Sequence, residues 1–272
     1  MLHYVIATLM SFALIPLVLS RHIDLDTRGR HEDVRGENNH SWQVTRTHLR
    51  LHAKPPRVLR VKEGENQFLE CQAGGNPSPV IHWLKNGVKL SQNGRDEDEE
   101  STVASDDLLQ IENRVPKMDI GSTTSRLYLD CISAKDEAEY TCVAENPYHR
   151  TSTTTQVYVA PSSEDVTCPE NIFGTAPRIY AWTKTMIENQ GQETKVTCRA
   201  SGHPRPTIEW FDSREQELGV TGSSKYEILP SGDLLIRDLT WSDMGNYICV
   251  AANVHGTAKE EIFLYPAAVS IQ

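Results

Sequence analysis

The stretch Cys71-Gln-Ala-Gly-Gly-Asn-Pro-Ser-Pro-Val-Ile-His-Trp83 recurs 127 positions later as Cys198-Arg-Ala-Ser-Gly-His-Pro-Arg-Pro-Thr-Ile-Glu-Trp210. Cys, Ala, Gly, Pro, Pro, Ile and Trp hold the same places in both copies. A second block follows each. Asp136-x-x-x-Tyr140-x-Cys142-Val143-Ala144-x-Asn146 reappears as Asp243-x-x-x-Tyr247-x-Cys249-Val250-Ala251-x-Asn253, 107 positions on. The two offsets differ by 20, so the first unit carries that many extra residues between its Trp and its Tyr. A repeat this long marks two copies of one domain, and 272 residues suit two domains.

Each unit has a Cys, a Trp twelve positions on, and a Tyr two before the second Cys. This pattern resembles the immunoglobulin sandwich. Strand alternation turns Ile81 with Trp83, and Ile208 with Trp210, toward one core. The resemblance implies the disulfides Cys71–Cys142 and Cys198–Cys249 between two sheets, an indole packed on each, and a Tyr hydroxyl closing the corner. Such bridges contribute roughly 2–4 kcal/mol each. Pro-x-Pro before the Trp strand, Leu127/Leu129, Leu234/Ile236 and Gly245 are similar to intermediate-set domains, with Ala138 standing where the second copy has Gly245. The expected fold is therefore all-β: two tandem immunoglobulin-like (intermediate-set) β-sandwiches, at 54–160 and 175–266. A linker at 161–174 joins them, and a tail covers 267–272. Strands are expected at 67–72, 80–85, 125–132, 139–145 and 153–159, then at 193–199, 207–212, 233–237, 246–252 and 259–265.

Residues 1–20 contain no Lys, Arg, Asp or Glu. With Val18 and Ser20 at the −3 and −1 positions, they read as a signal peptide cleaved after Ser20. An uncleaved signal anchor is the competing reading. The stretch 21–53 mixes charges, Asn, Gly and five His without periodicity and reads as a flexible polar arm. Its histidines lie too far apart for a local metal site. Asn39-His40-Ser41 is an N-x-S/T sequon, whereas Asn76 is blocked by Pro77; Asn39 is the expected glycosylation site. A net charge of −10 argues against nucleic acid or an anionic membrane as the main partner. A secreted, extracellular protein with no membrane partner is expected.

Cys131 and Cys168 remain. Counted back from Cys142, Ile132 is the core position entering the corner, so Cys131 beside it faces outward, toward the pole where the last strand leaves domain 1. Cys168, just beyond that exit, is placed to close a third disulfide, Cys131–Cys168. Free thiols and an intermolecular bridge are the alternatives. The run Arg95-Asp-Glu-Asp-Glu-Glu100 lies in the insertion of domain 1. It reads as a solvated loop tip, or as an element steering a basic ligand, and it lacks the alternating ligand pattern of a calcium loop. The sequence contains no P-loop, GxGxxG, HExxH, GxSxG or CxxC motif, so no enzyme activity, cofactor or metal is expected.

In the second half, Ala176-Pro-Arg-Ile-Tyr180, the run from Ser231 through Trp241-Ser-Asp-Met-Gly-Asn-Tyr-Ile-Cys249, and Phe263-Leu-Tyr265-Pro266 resemble the insect neural/ectodermal development factor family. The resemblance covers roughly residues 54–266. It implies a secreted two-domain protein that sequesters insulin or insulin-like peptides and antagonises their receptor. An adhesion or guidance module of the nervous system is the alternative. If Trp210, Tyr247, Cys249, Ile262 and Leu264 face the core, then Phe211, Ile248, Val250, Phe263 and Tyr265 face outward. That face is apolar where polar residues would be usual, and it is the expected ligand surface. His82, Leu84, Val143 and Tyr158 form a thinner counterpart in domain 1. A homodimer through the same face is the competing use.

Overall fold

The computed structural model describes residues 46–92, 120–162, 168, 174–219 and 223–268. The segment expected to be a signal peptide, Asn39, the acidic run and most of the linker lie outside the described residues. No described helix is long and apolar enough to cross a membrane.

Domain 1 contains β1 (His48–Ala53), β2 (Val58–Lys62), β3 (Gln67–Asn76), β4 (Val80–Lys85), β5 (Val88–Lys89), β6 (Ile120–Leu129), β7 (Glu139–Glu145) and β8 (Arg150–Ala160). Domain 2 contains β9 (Thr175–Asn189), β10 (Thr194–Val196), β11 (Cys198–His203), β12 (Thr207–Asp212), β13 (Glu217–Leu218), β14 (Tyr226–Ile228), β15 (Leu234–Ile236), β16 (Gly245–Asn253) and β17 (Gly256–Ala267). The strands of the repeated blocks fall where expected. β1 does not, because it lies inside the stretch read as flexible arm. There Leu49, Leu51 and Ala53 alternate with exposed His48, Arg50 and His52, and the strand pairs antiparallel with β3. Six residues of alternation were too short a signal against so polar a background.

Both cores are built as the repeat implies. Cys71–Cys142 and Cys198–Cys249 bridge the sheets with Cα–Cα distances of 6.5 Å each. Trp83 and Trp210 are fully buried. A buried indole N–H needs an acceptor: Trp83 Nε1 donates to Ser125 Oγ at 3.0 Å and Trp210 Nε1 to Gly232 O at 2.9 Å. The corner tyrosines donate to backbone four residues upstream, Tyr140 Oη to Asp136 O at 3.2 Å and Tyr247 Oη to Asp243 O at 2.8 Å. Gly245 sits at φ 151°, in the left-handed half of the map that a side chain disfavours.

The third disulfide is Cys131–Cys168, with a Cα–Cα distance of 5.7 Å. It fixes the segment after β8 to the corner after β6. Cys131→Ser with Cys168→Ser is expected to lower stability by up to about 3–4 kcal/mol, the loop-entropy ceiling for a closure of this length. Denaturant unfolding of the double variant against wild type measures it.

The sheets are not shared out as two separate sandwiches. A five-stranded sheet, β2-β8-β7-β4-β5, belongs to domain 1, and a three-stranded sheet, β10-β15-β14, to domain 2. The third sheet has nine strands, ordered β1-β3-β6-β9-β17-β16-β12-β13 with β11 branching from β9, and it runs through both domains. Its seam is the antiparallel pairing of β6 with β9, from Ile120↔Ile187 to Ser125↔Ala181. In domain 2, β15 lies between β10 and β14. The matching strand of domain 1, β6, lies between β3 and β9. Domain 2 thus supplies the strand that fills the β14 position of domain 1. Ser122 pairs with Thr185 but Thr123 with Thr183, leaving Lys184 as a bulge. The bulge lets β9 leave β11 and join β17 while keeping β6 on its other edge.

Side chains lock the seam. Arg126 of β6 donates from Nε to Glu70 Oε2 at 2.7 Å and from Nη1 to Glu260 Oε1 of domain 2 at 2.9 Å. Its guanidinium stands 4.7 Å above the Trp182 ring. Arg178 of β9 reaches Asp130 Oδ1 at 2.6 Å and stacks 5.0 Å from the Tyr128 ring, and the Tyr128 hydroxyl donates to Ile179 O.

Candidate ligand-binding face

Cross-strand pairing places one row of residues over five strands and both domains: Phe263, Thr185, Ser122, Gly74 and Arg50. The neighbouring row holds Tyr265, Ile187 and Ile120. Gly74 leaves the sheet bare beneath the His52 imidazole of β1, and Gly75 lets the β1 backbone approach closely. A Cβ on Gly74 would lie 2.3 Å from His52 Nε2, and one on Gly75 2.7 Å from His48 O. The result is an open groove of about 410 Å³ running from His48 and His52, over Gly74, Ile120 and Ile187, to Phe263 and Tyr265.

At the domain 2 end the groove meets the corner turn Trp241–Asp243. Trp241 stands edge-on to Tyr265, with ring centroids 5.6 Å apart. Trp241 is 51% exposed, Phe263 41%, Tyr265 38% and Met244 42%. The turn is rigid because Asp243 caps it. Its carboxylate accepts from the Thr240 amide at 2.7 Å, from the Tyr226 hydroxyl at 3.0 Å and from Lys225 Nζ at 2.6 Å. Burial alone would raise the Asp243 pKa, but these donors outweigh it and hold the carboxyl below the usual range. Tyr226, half-buried and facing that carboxylate, is pushed up to about 12.

The residues expected at the ligand surface are distributed unevenly. Phe263 and Tyr265 are exposed and border the groove. Phe211 and Ile248 face each other across β12 and β16, half-buried. Val250 is only 8% exposed, flanked by its partners Glu209 and Lys259. His82, Leu84, Val143 and Tyr158 lie on the five-stranded sheet, apart from the nine-stranded one. Val143 is buried between His82 and Ser152, Leu84 is half-buried, and Tyr158 is exposed beneath Arg60. Burial lowers the His82 pKa despite Glu145 at 3.5 Å, with Lys89 and Arg150 adding to the effect. Domain 1 reaches the groove through β1, β3 and β6 instead. Sequence reading missed His48, His52, Ile120, Ile187 and Trp241. Ile187 and Trp241 meet Tyr265 inside domain 2, by β9–β17 pairing and a ring contact, while the β6–β9 seam brings Ile120 and, through β3, the β1 histidines to the same face. Trp241 and Met244 carried one legible signal, two large apolar residues in a corner whose capping needs only Thr240 and Asp243.

The immunoglobulin-domain family model matches residues 50–146 and 176–253. The chain is 33% identical to zwei Ig domain protein zig-4 of Caenorhabditis elegans, the match covering 75% of this chain and 75% of that one. It is 28% identical to neural/ectodermal development factor IMP-L2 of Drosophila melanogaster over 97% of this chain and 96% of the other. The crystal structure of neural ectodermal development factor IMP-L2 superposes with a TM-score of 0.63 at 26% identity, covering 81% of this chain and 95% of that one. Two sandwiches joined by one sheet, the repeated Cys–Trp–Tyr–Cys framework and these likenesses lead to one conclusion: the chain belongs to the immunoglobulin-domain family, as an extracellular two-domain protein of the IMP-L2 type.

Proposed function

We propose that the protein is a secreted, non-catalytic binding protein that takes up insulin or an insulin-like peptide on the outer face of the nine-stranded sheet and keeps it from its receptor. The supporting observation is the apolar band Trp241, Tyr265, Ile187 and Ile120, which continues from domain 2 into domain 1. A solvated antiparallel face is normally polar. A contiguous apolar patch with exposed aromatic residues is the usual mark of a partner surface. The shared sheet holds the band rigid, so little ordering entropy opposes binding. Insulin-like peptides offer a matching apolar surface, the one they present to their receptor. Nucleic acid and membranes are not proposed as partners of this face.

Calorimetric titration of the purified chain with insulin tests the reading. Saturable binding is expected, with Tyr265→Ala weakening it by about 1–3 kcal/mol, roughly 5- to 150-fold. No heat and no competition at micromolar peptide would remove the hormone reading. Self-association of the wild type, lost in Tyr265→Ala, would then assign the face to a homodimer.

A further inference from the structure

From residue 46 to residue 62 the chain carries Arg46, Arg50, Lys54, Arg57, Arg60 and Lys62, with His48 and His52, and no Asp or Glu. All eight side chains are exposed. Among the described residues, none of the six Lys and Arg is in an ion pair, whereas Arg126, Arg178, Lys225 and Arg237 are each bound to a carboxylate. This acid-free stretch belongs to a chain whose net charge is −10.

The fold turns the stretch into a line. β1 is an edge of the nine-stranded sheet and β2 an edge of the five-stranded one, joined by a connection containing Pro55 and Pro56. On β1 the apolar Leu49 and Leu51 turn inward, which leaves His48, Arg50 and His52 on one side at intervals of about 6.6–6.8 Å. On β2 buried Val61 separates Arg60 from Lys62, and Arg60 is held 4.9 Å above the Tyr158 ring. The cations therefore follow one flank of domain 1 along both edges. Cationic edge strands also discourage β-pairing, but that purpose does not require every acid to be excluded over 17 residues.

We propose that this flank binds a linear, sulfated polysaccharide of the glycosaminoglycan type. The shape of the charge selects the ligand. A narrow line of cations on an otherwise acidic protein suits a thin polyanion laid along it. A plane of anionic lipid would bring the acidic remainder of the surface within a screening length of about 8 Å. An extracellular immunoglobulin-domain protein meets sulfated polysaccharides, not nucleic acid. His48 and His52 belong both to this flank and to the groove wall, so a bound chain runs beside the apolar groove and tethers the protein without covering Tyr265. The assignment does not depend on the hormone reading.

Immobilised heparin tests it with the full chain. Retention at about 0.15 M salt is expected. Arg50→Glu/Lys54→Glu/Arg57→Glu is expected in the flow-through, with the slope of log affinity against log salt reduced by roughly three. A control of equal net charge, Lys184→Glu/Lys195→Glu/Lys259→Glu, is expected to elute with wild type, and desulfated heparin is expected not to compete. Thermal unfolding confirms that both variants fold. Wild type in the flow-through, or equal losses in the two variants, would overturn the proposal. So would equal retention on vesicles of phosphatidylserine and phosphatidylcholine, which would assign the flank to a membrane surface.

Discussion

Heated as a whole, the protein is expected to unfold in a single cooperative transition, although its sequence holds two complete repeats. The reason is the seam. Six residues of β6 from Ile120 to Ser125 pair with β9, and the strand that completes the domain 1 sheet comes from domain 2. At about 1 kcal/mol net per hydrogen bond, the ladder contributes on the order of 3–6 kcal/mol. Arg126 and Arg178 add contacts that neither domain makes alone. Domain 1 expressed alone, as residues 46–168 so that the Cys131–Cys168 bridge is kept, is expected to lose a stabilisation of that order. It is also expected to associate through the bared edge of β6, as open edges do. Calorimetry of the full chain is the check: equal van't Hoff and calorimetric enthalpies are expected. Two resolved transitions, with domain 1 monomeric and as stable alone as in the chain, would refute the coupling.

Asp243→Ala is expected to lower stability by about 3 kcal/mol. Its side chain is 4% exposed and serves Lys225, Tyr226 and Thr240 together. Removal takes the carboxylate from the half-buried Lys225 ammonium, which keeps only longer contacts to Asp238 O and Thr240 Oγ1, and takes the acceptor from the Tyr226 hydroxyl and the Thr240 amide. The equivalent Asp136 is 27% exposed and pairs with Lys85 at 3.3 Å, so Asp136→Ala is expected to cost about 1 kcal/mol. Because the folded pKa of Asp243 is lowered, its contribution is fully present above the unfolded value of about 3.9 and is lost as pH falls through the folded one. Urea unfolding at pH 7 and pH 3 is expected to show a smaller difference between variant and wild type at the lower pH. A difference that stays constant would mean the carboxylate acts by packing, not by charge.

The candidate face was legible in part. Strand alternation alone placed Phe263 and Tyr265 outward, and the structure leaves both exposed. The same rule turned Val250 and Val143 outward too, yet both are buried. Alternation tells which face a side chain is on and nothing about how far its neighbours lean over it. The Cys131–Cys168 bridge could be reasoned from one outward position and one exit point, because local strand geometry fixes both. β9 could not be read. Its 15 residues, Thr175–Asn189, pair with β11 and then β17 of domain 2 on one edge and with β6 of domain 1 on the other. Its apolar positions therefore follow no single period.

By itself the sequence determined the two sandwiches, their disulfides, the indoles packed on them and the capped corners. Each rests on residues whose spacing is set by one strand's period or one turn's hydrogen bonds. Only the tertiary structure decided that β6 and β9 would meet, that His48, Gly74, Ile120 and Tyr265 would share a groove, and that the counterpart on the five-stranded sheet of domain 1 would lie apart from it. Pairing between edges distant in the chain is selected by the backbone groups each edge leaves open and by the fit of whole domains. No residue pattern within either edge encodes its partner.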